Sequence, residues 1–257
     1  MKKLISIILF IFLIPSYSAF SQETETKESK LNFTIGSDIV SRYVWRGTDF
    51  GRSPSIQPGI ELSAGGFAIG YWGAFATSQI NSGSFSTTQE TDLYLSYTLK
   101  EMFSLTLTDY FFPNDLAANN HYYEFNEDKT GHILEAALSF NGTEKVPFTL
   151  LIATNIWGAD KRDADGDKFY STYAELGYSR DILSQIKLNA FVGINLIAPD
   201  LEKGESGYYG DYFGIVNMGI TGTKEIKITD SFSVPFAVSL ITNPQTQNIF
   251  MVLGISF

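Results

Sequence analysis

The sequence predicts an all-β fold, a transmembrane antiparallel β-barrel of about 12 strands, wound as an up-and-down meander with both termini on the periplasmic side. Three observations lead there. Bulky apolar residues recur at every second position in run after run. Tight turns alternate with longer, more polar connections. The chain also stops on Ile249-Phe250-Met251-Val252-Leu253-Gly254-Ile255-Ser256-Phe257, an uncharged stretch that ends on an aromatic side chain.

The N-terminus sets the compartment. Lys2 and Lys3 precede an apolar run, Leu4 to Pro15, and Ala19-Phe20-Ser21 supplies small residues ahead of Gln22, the pattern of a cleaved secretory signal over residues 1–21. Residues 22–30 read as a short periplasmic segment, and residues 31–257 as the barrel. No later stretch approaches the roughly 18 apolar residues of a membrane helix, so any crossing of a bilayer must be by strands.

The runs follow in order. In the first, Leu31, Phe33, Ile35, Ile39, Tyr43 and Trp45 share one parity, and Asn32, Thr34, Asp38, Arg42 and Arg46 hold the other. Ile56, Pro58, Ile60 and Leu62 form the second, ending at Ala64-Gly65-Gly66, and Phe67, Ile69, Tyr71, Gly73 and Phe75 form the third. Thr91 to Leu99 turns through Lys100-Glu101 into Phe103, Leu105 and Leu107. Leu134 to Phe140 turns at Asn141-Gly142 toward Phe148, Leu150, Ile152 and Ile156. Thr172 to Tyr178, Ile186 to Leu196, Tyr212 to Thr221, Phe232 to Ile241 and Ile249 to Phe257 complete the series. Asp109 breaks the pattern by falling on the apolar parity of its run, which asks for a bulge nearby or an exit from the membrane at that point.

Closure follows from physics. An unpaired backbone group in hydrocarbon costs several kcal/mol, so an open sheet edge cannot persist there and the last strand must pair with the first. Aromatic residues support this placement. Phe67, Tyr97, Phe103, Phe140, Phe148, Tyr178, Phe232 and Phe257 lie at the short-turn ends of their runs, as an inner girdle requires, with Tyr43, Trp45, Phe75 and Phe111 for the outer girdle. A soluble β-sandwich also alternates. Its second faces would be solvated, however, and here they carry Ala68, Gly70, Ala74, Gly177, Gly193 and Gly254, which suit a confined interior.

Composition removes several functional classes. The chain carries 18 Lys+Arg and 28 Asp+Glu; without Lys2 and Lys3 the balance is 16 against 28, a net −12, which disfavours nucleic acid. With no cysteine and two histidines, neither a disulfide scaffold nor a structural zinc site is expected, and no metal or other cofactor is expected. Asp163-Ala164-Asp165-Gly166-Asp167 has the look of a calcium loop, but with Gly166 at the sixth position Lys161 and Thr172 fall where ligands are needed. It reads as an exposed acidic loop. No serine–histidine grouping suggests hydrolysis, so no enzyme is expected.

The inward parity gathers charge. Asp38, Glu61, Glu90, Asp92, Glu135 and Glu175 face Arg42, Arg46 and Lys187, the candidate lumen-lining set. Such residues either pair with one another as an interior network or line a narrow aqueous path whose acidic excess favours cations. The long connection from Pro113 to Thr130 offers an inward plug.

Tyr43-Val44-Trp45-Arg46-Gly47, then Gln57-Pro58-Gly59, Gly70-Tyr71-Trp72-Gly73, Glu90-Thr91-Asp92-Leu93-Tyr94 and Glu175-Leu176-Gly177-Tyr178, resemble in order and spacing the TorF-type porin family of bacterial outer-membrane proteins. That resemblance covers most of the chain after residue 21. It implies a membrane barrel and transport; with the residues above, the chain reads as a barrel in the outer membrane of a Gram-negative bacterium for passive transport of small polar solutes, with a plugged, non-conducting barrel of structural or surface role as the alternative. The terminal Phe257, preceded by alternating apolar residues, resembles the signal by which such barrels engage their insertion machinery.

Overall fold

A closed hydrogen-bonded cylinder accounts for nearly every strand. The structure, a computed structural model, describes residues 31–77, 89–114, 120–183 and 186–257. The proposed signal and the segment 22–30 lie outside the described residues. The strands are β1 (Asn32–Val40), β2 (Tyr43–Trp45), β3 (Thr48–Phe50), β4 (Ser55–Ala64), β5 (Phe67–Ala76), β6 (Gln89–Leu99), β7 (Phe103–Phe111), β8 (His132–Phe140), β9 (Phe148–Gly158), β10 (Thr172–Leu183), β11 (Ile186–Asn195), β12 (Gly214–Lys227), β13 (Ser233–Asn243) and β14 (Asn248–Ser256). β1 and β4 to β14, all antiparallel, make the barrel of 12 strands, and β2–β3 is a separate hairpin. This closed topology excludes the sandwich.

The seam is short. β1 pairs with β4 along its whole length, from Asn32↔Ser63 to Val40↔Ser55, but meets β14 only at Asp38↔Ser256, Ile39↔Ile255 and Val40↔Gly254. Backbone bonds extend it on both sides. Ser37 and Phe257 exchange N–H···O bonds of 3.2 and 3.0 Å, and the Ser41 amide donates to the Leu253 carbonyl at 2.8 Å.

Strand parity divides the molecule into two surfaces. Outside, Phe33 and Met251 are 67 % and 68 % exposed, and Ile35, Ile69, Leu95, Leu105, Leu138, Leu176, Leu240 and Ile249 continue a belt of exposed apolar side chains. Inside, Ala153, Ala137, Thr106, Ser239 and Ala237 are buried. The aromatic pairs foreseen at the short-turn end sit side by side on adjacent strands, Phe67–Tyr97 at 4.5 Å, Phe103–Phe140 at 5.4 Å and Phe148–Tyr178 at 5.2 Å between ring centroids. So large an exposed apolar belt, edged by aromatic rings, is stable only against hydrocarbon.

Two glycines explain why the inner face tolerates large rings. Gly70 leaves the space over which Tyr94 reaches Glu61, donating its hydroxyl at 3.1 Å. Gly193 likewise lies beneath the Tyr173 hydroxyl, which meets Glu175 and the Asn217 amide. A bulge in β12, where Gly193↔Asn217 is followed by Ile194↔Ile215, inserts Val216 and buries it beside Asn217.

Two expectations need correction. The first alternating run is not one strand: the wall strand stops at Val40, and Tyr43 and Trp45, expected in the outer girdle, are buried within the barrel. Phe111, expected there too, is buried under the rings of Tyr122 and His132. As for Asp109, β7 keeps its register with both neighbours through that residue, and the nearest irregularity is one strand away, where the β8–β9 register shifts between its partner Leu134 and Glu135.

Candidate functional site

After β1 the chain turns into the cylinder. Ser41 ends the wall, its hydroxyl accepting the Leu253 amide at 2.9 Å. The hairpin β2–β3 that follows is closed by Arg46-Gly47, with φ of 47° and 80° at the two residues. Positive φ at both positions is the two-residue turn whose twist matches paired strands. Gly47 is needed twice over: its backbone is left-handed, and a Cβ there would strike the Val216 carbonyl, so the tip lies against β12. Arg46 adopts the same left-handed region without being glycine, as the two-residue turn requires of its first position.

Those contacts converge on the Arg46 guanidinium, which is 4 % exposed. Nη1 donates to Glu135 Oε2 at 2.5 Å and Nη2 to Glu135 Oε1 at 2.9 Å, a bidentate pair with β8. Nη1 also donates to the Tyr209 hydroxyl at 2.6 Å; Tyr209 in turn donates to Glu135 Oε2 at 2.9 Å, and Tyr110 donates to Oε1 at 3.0 Å. The buried carboxylate thus has four donors, and the desolvation that an isolated charge would suffer is offset. Three rings enclose the cation, Trp45 at 4.4 Å, Tyr173 at 4.7 Å and Tyr209 at 5.2 Å. Burial raises the Tyr209 hydroxyl well above its ordinary range, against the lowering effect of the Arg46 charge and with the Glu135 carboxylate adding to the rise, so it remains a donor.

The rest of the hairpin is held by apolar contact. Tyr43 packs on Trp72 at 5.5 Å and Trp45 on Tyr110 at 5.6 Å, while Phe50 stacks on Phe112 at 5.9 Å. These residues join Ile133, Leu151, Tyr173, Tyr209 and Val216 in one aromatic-rich core that lies inside the cylinder. Tyr43 also hydrogen-bonds Glu90, and Asn243 Nδ2 donates to the Gly47 carbonyl at 3.3 Å. The hairpin therefore touches wall strands around most of the circumference.

Of the sequence-predicted charged set, Arg46 and Glu135 are brought together. Arg42 sits on the same loop, donating to Asp49 at 2.6 Å and lying 5.9 Å from the Phe250 ring. Glu90 hydrogen-bonds Asp92 as well as Tyr43, Asp38 hydrogen-bonds Ser256, Glu61 accepts from Tyr94, and Glu175 from Tyr173 and Asn217. Lys187 is half-buried opposite Asp181. Among the described residues, none of Asp38, Glu61, Glu90, Asp92 and Glu175 forms an ion pair with Lys or Arg. Phe257 is exposed at the seam, bonded through its backbone to Ser37.

Of the long connection expected as a plug, residues 113–114 and 120–130 are described. Its residues 120–131 fold over the outside of the barrel, where Tyr122 and Phe125 cover His132 at 5.0 and 5.1 Å. Phe112, at its start, is the part that packs inward. The acidic loop closes on itself: Asp163 Oδ1 accepts the amides of Asp165 and Asp167 at 3.0 and 2.8 Å. Among the described residues no group of three or more His, Cys, Asp or Glu side chains is placed to hold a metal.

Tyr110, Tyr173 and Tyr209 belong to the site although no sequence signal singled them out. The hairpin itself had one, Arg46-Gly47 between Tyr43-Val44-Trp45 and Thr48-Asp49-Phe50, two short alternating runs about a two-residue turn.

Residues 24–215 match a family model described as a bacterial protein of unknown function, Gcw_chp. Comparison with curated proteins finds no match. Among solved structures, the chain is similar to the KdgM porin, with 9 % identity and a TM-score of 0.47 over 87 % of this chain and 97 % of that one. It is similar to the NanC porin at 11 % identity and 0.46 over 87 % and 98 %. An outer-membrane channel from Pseudomonas putida F1 gives 10 % identity and 0.41 over 91 % and 98 %.

Proposed function

This chain belongs to the Gcw_chp family of bacterial proteins of unknown function, and from that premise and its closed barrel we propose that it is an outer-membrane channel for passive movement of small polar solutes, closed in this state by the β2–β3 hairpin. The observation that carries the reading is the Arg46–Glu135 pair, which ties a loop to the far wall by side chains alone. Such a tie is reversible. Moving the hairpin breaks no barrel strand, because β2 and β3 pair only with each other.

Cation preference is part of the proposal. Its support is the five inward carboxyl groups without Lys or Arg partners, of which Glu90 and Asp92 share a proton in their mutual hydrogen bond, since a narrow low-dielectric path with an excess of one sign of charge concentrates the opposite ion. The exposed apolar belt supports a bilayer as the surroundings, and the N-terminal signal supports export to the outer membrane with both termini in the periplasm. Phe257 is proposed as the contact with the insertion machinery. The TorF-type resemblance supports the same reading.

The second reading, a non-conducting barrel of structural or surface role, draws on the aromatic core that fills the interior around Trp45. Planar-bilayer recording separates the two. Wild-type protein is expected to open rarely, and Arg46→Gln or Glu135→Gln to raise the open fraction at least tenfold, with reversal potentials favouring cations. Silence from both variants, after heat-modifiable migration has confirmed folding, selects the non-conducting barrel.

A further inference from the structure

The environment of Arg46 is a receptor site built mostly by the wall. Glu135 on β8, Tyr110 on β7 and Tyr173 on β10 are barrel residues, and Tyr209 lies on the connection between β11 and β12. Only Trp45 comes with the hairpin. If the arginine is taken away, these groups still present a carboxylate with two oxygens set for a planar fork, hydroxyl donors holding that carboxylate in place, and two tyrosine rings over the position of the cation. A guanidinium fills this geometry and a simple ammonium does not, because a tetrahedral cation donates to one carboxylate oxygen in the plane where a guanidinium donates to two, and it lacks a flat face for the rings.

Resting on the reading of the hairpin as a closure, we infer that Arg46 is a built-in substitute for a ligand, and that the lumen binds small guanidinium-bearing solutes at Glu135, Tyr110, Tyr173 and Tyr209, which thereby compete with the hairpin and open the path. The excess of inward acids over inward bases would admit such a cation to the site.

The test uses the refolded full-length barrel with Arg46→Gly, which keeps the left-handed turn, and Arg46→Gln as a second form should the first fail to fold. Agmatine, which carries a guanidinium, and putrescine, a diamine of equal charge, are titrated by calorimetry. Agmatine is expected to bind either variant at least tenfold more tightly than putrescine and to lose that advantage when Glu135→Gln is added. In bilayers, agmatine is expected to raise wild-type opening at concentrations where putrescine does not. Equal affinity for the two amines, absence of binding, or preference that survives Glu135→Gln would overturn the assignment of the cage. Conductance of the same variants is read separately. Variants that conduct more than wild type without selective agmatine binding remove the receptor and leave the closure standing, whereas selective binding without any gain in conductance removes the closure and leaves the receptor.

Discussion

Asp109 on β7 and His132 on β8 meet on the outer face of the barrel wall, with Nδ1 2.9 and 3.0 Å from the two carboxylate oxygens. The other ring nitrogen donates to the Tyr122 carbonyl at 2.6 Å. A charge on the apolar parity thus finds its partner on the next strand, and the histidine carries the link onward to residues 120–131. Asp109→Ala should loosen that segment by about 1–3 kcal/mol, the cost of leaving a buried donor unmatched. Chymotryptic cleavage at Tyr122 or Tyr123 in the folded barrel should accelerate; an unchanged cleavage rate would show that the rings alone hold the segment.

Gly47→Ala tests the hairpin without touching a charge. The new methyl group meets the Val216 carbonyl and the left-handed backbone disfavours it, so the docked hairpin should weaken by more than about 1 kcal/mol. Conductance should rise as it does for Arg46→Gln, with unchanged ion selectivity.

Removing the two partners of the buried pair together should cost less than the sum of removing each alone. Glu135→Ala leaves a buried guanidinium among rings, a loss of about 3–5 kcal/mol, whereas the double change with Arg46→Ala should fall well short of the sum of the single ones. Urea-induced unfolding of the barrel in lipid vesicles, read by tryptophan fluorescence, gives the four corners of the cycle. Additive losses would mean the pair is not coupled.

Leu95 points outward and Ser96 inward on β6. Leu95→Arg should destabilise the inserted barrel by about 2–4 kcal/mol if the side chain meets the bilayer midplane, and Ser96→Arg by less. Equal losses in the same vesicle titration would contradict the facing of the strand.

The unpaired carboxyl groups predict ion preference. In a variant opened by Arg46→Gln, adding Asp38→Asn and Glu61→Gln should shift the reversal potential in a salt gradient toward zero. A potential that begins on the anion side, or does not move, would rule out these acids as the source of selectivity.

Where the alternation served one purpose, it could be read directly. Ile249, Met251 and Leu253 face out while Val252, Gly254 and Ser256 face in, as the terminal stretch implied. The same rule misled at Tyr43 and Trp45. A hairpin buried inside a barrel also alternates, so the parity of Phe33 and Ile35 ran on unbroken while the backbone had already left the wall at Ser41. The clamp was hidden for another reason. Tyr110, Tyr173 and Tyr209 come together only through closure and an inward loop, and nothing in their local sequence differs from tyrosines elsewhere in the chain.

The seam carries a consequence for biosynthesis. Ser41 and Leu253, which bond across it, are 212 residues apart in the chain, so closing the cylinder needs both ends of the barrel sequence and carries the largest loop-closure cost. Until then the polypeptide has two naked edges, each able to recruit a neighbouring molecule, and an oily face with nothing to cover it. Under the proposed export to the outer membrane such a chain would have to be shielded on its way, and one that stalls before its final strand has no closed form in which to wait.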